Sequence, residues 1–206
     1  MAKSKRRSKS QPEKSIAWVG TAASGTKTVN LILGVMTIAI LLGGAIYWWQ
    51  GRSAKSGFLD LAVSGQPALA GVETFPNDGR KHLKPGEHYS YASSTPTSGP
   101  HDPFPTDPGV YETPQPPTKL VHALEHGLIV FYYDRPGPEV MEQLREWAAL
   151  YSGTWDGIVV TPLPGLGEMV VATAWQKKLN LSPFDAAAAA AFADAYRGRG
   201  PENPVR

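Results

Sequence analysis

An α+β domain tethered to a membrane is what the 206-residue chain predicts, and three observations predict it. Val29 to Trp49 runs 21 residues without a charge, and ten prolines fall within residues 76–117. Beyond Pro117, short β-rich runs alternate with stretches of helical periodicity, which is the pattern of a sheet covered by helices.

The apolar run (VNLILGVMTIAILLGGAIYWW) is long enough, at ~1.5 Å per residue, to span the ~30 Å hydrocarbon layer. Tyr47, Trp48 and Trp49 close it with the aromatic rings that favour the interface. A cleaved signal peptide has a shorter core and small residues before its cleavage point, so a retained signal anchor is expected. Residues 1–28 carry seven basic residues and one acid, whereas the remainder holds 13 basic and 17 acidic residues. This asymmetry puts the N-terminus in the cytoplasm and residues 51–206 outside, in the cell membrane as a single-pass protein. Confined to a short, disordered tail, the positive charge argues against nucleic acid as a partner. The lipid bilayer, met through residues 29–49, is the partner the chain declares. Cysteine is absent, which removes disulfides, thiolate metal sites and cysteine catalysis.

Residues 50–75 read as a juxtamembrane connector and 76–203 as the extracytoplasmic domain, its core within 118–198. The segment 76–117 excludes both a helix and an inner strand. Its recurrent aromatics and histidines (Phe75 and His82 through Tyr111) favour a segment wrapped on a core over a free linker. Leu128–Tyr133 is a strand. Gly137-Pro138-Glu139 opens a helix with Met141, Leu144, Ala148 and Tyr151 on its apolar face. Ile158–Thr161 and Met169–Trp175 are strands, and Ser182-Pro183-Phe184-Asp185 caps an alanine-rich helix reaching about Arg197. The order strand-helix-strand-strand-helix predicts a parallel crossover followed by an antiparallel hairpin, with two helices on one face in a ferredoxin-like sandwich.

All five histidines (His82, His88, His101, His122 and His126) lie beyond the apolar run. His122 and His126, four apart in LVHALEHG, share a face either way. They lie about 6 Å apart along a helix but about 13 Å apart along a strand unless Gly127 marks a bulge. His101, in SGPHDP, is the natural third ligand if the irregular segment folds over this centre, and Met169 offers a thioether. Three nitrogens with an axial sulfur suit copper, and three with water suit zinc. The plain alternative is that these side chains hydrogen-bond to carbonyls and pin the proline-rich segment. His82, among charges in DGRKH, reads as a solvated surface residue. His122-Ala-Leu-Glu125-His126 also fits the H-x-x-E-H spacing of zinc peptidases, with Glu125 as base. The strand-like LIVFYY so close behind it, and the lack of a long helix with a downstream acid, count against that.

PTSGPH (Pro96–His101), GVY (Gly109–Tyr111), LVHALEHG (Leu120–Gly127), TAW (Thr173–Trp175) and GPE (Gly200–Glu202) occur in this order. Together they resemble the bacterial family called domain of unknown function 3105, over roughly residues 70–203. The resemblance implies a single-pass membrane protein with an outer domain, and histidines at His88, His101, His122 and His126. It implies no activity.

The sequence thus predicts a membrane-anchored, non-catalytic metal carrier or sensor for copper, with zinc the alternative ion. Its ligands would be His101, His122 and His126, assisted by His88 or Met169. The rival is an accessory subunit of a larger membrane protein complex in which the histidines are structural. A zinc hydrolase built on Glu125 is the third reading.

Overall fold

A computed structural model describes residues 25–206, so most of the basic tail expected over 1–28 lies outside the described residues. The chain divides into two units between Tyr47 and Trp48. Helix α1 (Gly25–Ser64) contains, from Ile32 onward, a stretch long and apolar enough to cross a membrane. Its residues Ile32–Ile46 leave large side chains such as Ile40 and Leu41 exposed. In the second unit the helix continues through residues expected as a connector. Phe58 and Ala62 are buried there in the domain core, and a 3₁₀ turn at Gln66–Gly71 follows.

The domain is a six-stranded mixed sheet. In chain order its elements are β1 (Glu73–Thr74), β2 (Gly109–Val110), α2 (Pro117–His126), β3 (Ile129–Tyr133), α3 (Pro138–Leu150), β4 (Ile158–Pro162), β5 (Val170–Ala174), β6 (Lys177–Leu181) and α4 (Ala186–Tyr196). The strands lie in the order β1-β6-β5-β3-β4-β2. As expected, the β3-α3-β4 crossover is parallel, pairing Ile129 with Ile158 through Tyr133 with Pro162. The hairpin is displaced from its expected place. β5 crosses to the far side of β3 and turns back into β6, so β5 pairs with β3 and β6, both antiparallel. A ferredoxin-like sheet splits its crossovers around an intervening strand, whereas β3 and β4 are direct neighbours here.

Strand alternation sends side chains to two cores. On one face Ile129, Phe131, Ile158, Val160 and Ala172 pack with Phe58, with Leu144 and Trp147 of α3, and with Ala189, Ala190 and Phe192 of α4. Alanine lets α4 approach closely, and the Asp185 carboxylate accepts from the Ala187 and Ala188 amides at its N-terminus (2.8 and 3.1 Å). On the other face Val130, Tyr132, Val159 and Val171 pack against Leu120, Ala123 and Leu124 of α2. The sheet is therefore covered on both faces, not on one. α2 forms because Pro117 occupies its first turn, where a missing N–H costs nothing, and Gly127 at φ +97° ends it in the left-handed region.

Candidate functional site

The helical geometry of α2 decides how LVHALEHG is displayed. His122 and His126 stand one turn apart with ring centroids 4.7 Å from each other, and Glu125 also points inward, since all three are at least nine-tenths buried. The irregular segment brings two more rings. His82 and His101 meet in an isolated parallel bridge, in which the Leu83 amide donates to His101 O (2.7 Å) and the His101 amide to Lys81 O (3.0 Å). The Asp102 amide donates to Thr118 O and the Thr106 amide to Lys119 O, fixing this segment to the start of α2. His101 is fully buried, with its ring centroid 4.8 Å from that of His122 and 5.0 Å from that of His82.

The C-terminal run supplies the last group. Gly200 passes so close to the end of α2 that a Cβ there would overlap Glu125 O and Gly127 N, and the Gly198 amide donates to Gly127 O (2.8 Å). Glu202, held by its own amide on Glu125 O, then sets its carboxylate 3.1 Å from His126 Nε2 and 3.7 Å from His122 Nε2. Arg80 ties the periphery together, with Nε 3.6 Å from Glu125 Oε1 and Nη1 donating to Pro201 O.

Hydrogen bonding assigns the protons. His101 Nδ1 donates to Gly99 O (2.8 Å) and His122 Nδ1 to Asp102 O (2.7 Å). In a neutral ring this leaves the lone pair on Nε2. Burial lowers both imidazole pKa values below the ordinary 6.5, and the neighbouring rings lower them further, so both are neutral at pH 7. Burial raises the Glu125 pKa, and the Glu202 charge adds to the rise. His101 Nε2 is buried without a hydrogen-bond partner although Glu125 Oε2 lies 3.0 Å away. A lone pair facing a carboxylate oxygen is an arrangement that a cation or a proton between them would relieve.

The donor atoms fall into two overlapping groups. His82, His101, His122 and Glu125 form one, with all donor atoms within 4.8 Å of one another, and His122, His126 and Glu202 form the other. Bonds of ~2.1 Å about a tetrahedral ion hold its donors roughly 3.4 Å apart, so either group can close on one ion by small side-chain shifts. Among the described residues, no such group contains both His101 and His126. Of the remaining sequence-predicted ligands, His88 lines a separate groove with Tyr89, Asp102, Phe104 and Pro117. Met169 packs against the apolar cluster of α2, β3 and β5. Two participants were missed. His82 is exposed, as its charged neighbours suggested, yet its ring centroid lies 4.9 Å from that of His122. Glu202 stood in the GPE run without a role.

Residues 82–206 match the model of a family described as a protein of unknown function, DUF3105. The chain belongs to the DUF3105 family. The match begins at His82 and takes in every residue of both donor groups. No curated protein and no solved structure matches the chain.

Proposed function

We propose that this DUF3105 protein is a membrane-anchored, non-catalytic carrier or sensor whose outward-facing domain holds a divalent transition-metal ion, copper in the first place and zinc as the alternative. The observation that carries the reading is the fully buried His101 Nε2, without a hydrogen bond, surrounded by His122, His82 and Glu125. Imidazole nitrogens with a carboxylate oxygen and no sulfur are a donor set for copper(II) or zinc(II). The carbonyls of Gly99 and Asp102 act as outer partners that fix the tautomer and aim Nε2 at the ion. The proline-rich segment serves this site as a wrap, delivering His82 and His101 over α2. The uncharged run near the N-terminus and its basic flank support a retained anchor with the domain outside the cell.

Elemental analysis of the full-length protein, purified in detergent without a histidine tag and offered copper or zinc, tests this. One ion per chain is expected, its binding weakened at least tenfold in His122→Ala while circular dichroism is unchanged. A folded protein that takes up neither metal would leave the histidines structural, as in an accessory subunit of a membrane complex.

One observation favours a second reading, a zinc hydrolase. The H-x-x-E-H residues do lie on a helix, and Glu202 offers the acidic ligand that no downstream helix supplies. Glu125→Gln separates the two. A carrier that uses Glu125 as a ligand binds metal more weakly, whereas a hydrolase keeps its metal and loses peptide cleavage.

A further inference from the structure

The two donor groups meet in a single atom of ligand character. His122 Nδ1 is engaged by Asp102 O, so His122 offers the cluster only Nε2, and one nitrogen lone pair binds one ion at a time. His122 belongs with His101, His82 and Glu125 to one group and with Glu202 and His126 to the other, so its free nitrogen is common to both. Each side has one solvent-exposed member, His82 in the first group and Glu202 in the second. The other members are buried, so each group presents one opening to solvent through that member.

We infer that the cluster holds its ion at two alternative positions that share His122 Nε2, and that the ion passes between them by exchange of the remaining ligands about this fixed nitrogen. The inference rests on the metal-binding reading above and names how a carrier would receive an ion at one edge and release it at the other. The ion keeps its oxidation state throughout. Bonds to His101, His82 and Glu125 are given up as bonds to His126 and Glu202 form, with His122 retained. Carboxylate and imidazole on each side keep the ion's charge and donor type similar in both positions, which keeps neither position a trap. The geometry provides a reporter as well. Trp155 stacks on the His126 ring with centroids 4.0 Å apart, so a paramagnetic ion bound through His126 quenches its fluorescence.

Full-length protein in detergent, titrated with copper(II) chloride alone, tests the inference by electron paramagnetic resonance and Trp155 emission, the latter taken as the difference from Trp155→Phe. The wild type should bind one copper per chain yet show two copper(II) signals, with partial quenching of Trp155. His82→Ala should leave only the signal that quenches Trp155. Glu202→Gln, at an exposed position that spares the fold, should leave only the other, and His126→Ala should do the same. His122→Ala should weaken binding of both at least tenfold. Two coppers bound at once would overturn the inference, because one nitrogen cannot serve both. One bound copper with a single signal unmoved by Glu202→Gln and His126→Ala would overturn it while leaving the metal site itself intact. Absence of bound copper here, with no zinc taken up in the elemental analysis, would overturn both readings.

Discussion

His101 and His122 each divide their two ring nitrogens between tasks that the sequence presented as alternatives. Nδ1 pins a backbone carbonyl of the proline-rich segment, and Nε2 is left for the cluster. The division has a measurable cost without metal. Both rings are held neutral below the ordinary imidazole value, so the unfolded chain binds more protons than the folded one once pH falls below 6.5. Their contribution is constant above 6.5 and is lost as pH drops toward the depressed folded values. Glu125 acts with the opposite sign, because its raised pKa removes stability as pH rises above 4.5. Urea unfolding of the metal-free protein should therefore show stability rising toward pH 6.5, with a shallower rise in His101→Gln and a steeper one in Glu125→Gln. Identical slopes in all three would show that these groups are not perturbed in the folded state.

At the scale of elements, α2 is the part whose nature had to be decided before any chemistry followed. Gly127 ends it at φ +97°, and a Cβ there would sit 2.7 Å from Gly200 N. Gly127→Ala should cost about 1–3 kcal/mol through left-handed strain and contact with the C-terminal run. Removal of residues 200–206 should leave the fold's melting cooperative but loosen copper binding, since Glu202 goes and the end of α2 is uncovered. Unchanged affinity in this truncation would exclude Glu202 from the site. The Asp185 cap makes α4 a control element far from the cluster in sequence. Asp185→Ala should cost ~1 kcal/mol in denaturant unfolding and leave metal binding unaltered. The signals for α2 were present, Pro117 at its start and Gly127 at its end, but ten residues of mixed polarity followed by LIVFYY read equally as strand. β6 escaped notice for a related reason. KKLNL is polar, and its two-residue turn, Trp175-Gln176, lacks the usual glycine and puts Gln176 at φ 60° instead.

For the whole molecule the open quantity is topology. A chain without cysteine makes the test direct, because any labelled thiol is an introduced one. Ser4→Cys, in the basic tail, should react with a membrane-impermeant maleimide only after lysis, and Thr113→Cys, exposed on the domain, in intact cells or spheroplasts. Recovery of mature protein lacking the apolar run, or the reverse labelling pattern, would exclude the anchored orientation.

Hydrophobic periodicity, turn residues and charge asymmetry are local properties. They were therefore legible in the sequence: the apolar run, the β3-α3-β4 crossover, the capped α4 and the one-turn spacing of the histidines in LVHALEHG. Which face each helix covers, which strand β5 joins and which side chains meet at the cluster depend on contacts between residues far apart in the chain. His82 shows the limit, since its charged neighbours describe its exposure correctly and say nothing of the ring 4.9 Å away on α2. Glu202 shows it again, because only the close passage of Gly200 over the end of α2 carries a C-terminal carboxylate to His126. Local sequence determined the apolar run, β3, α3, β4, β5 and α4 and the type of donor; the long-range packing of the proline-rich segment and the C-terminal run onto α2 decided which donors converge.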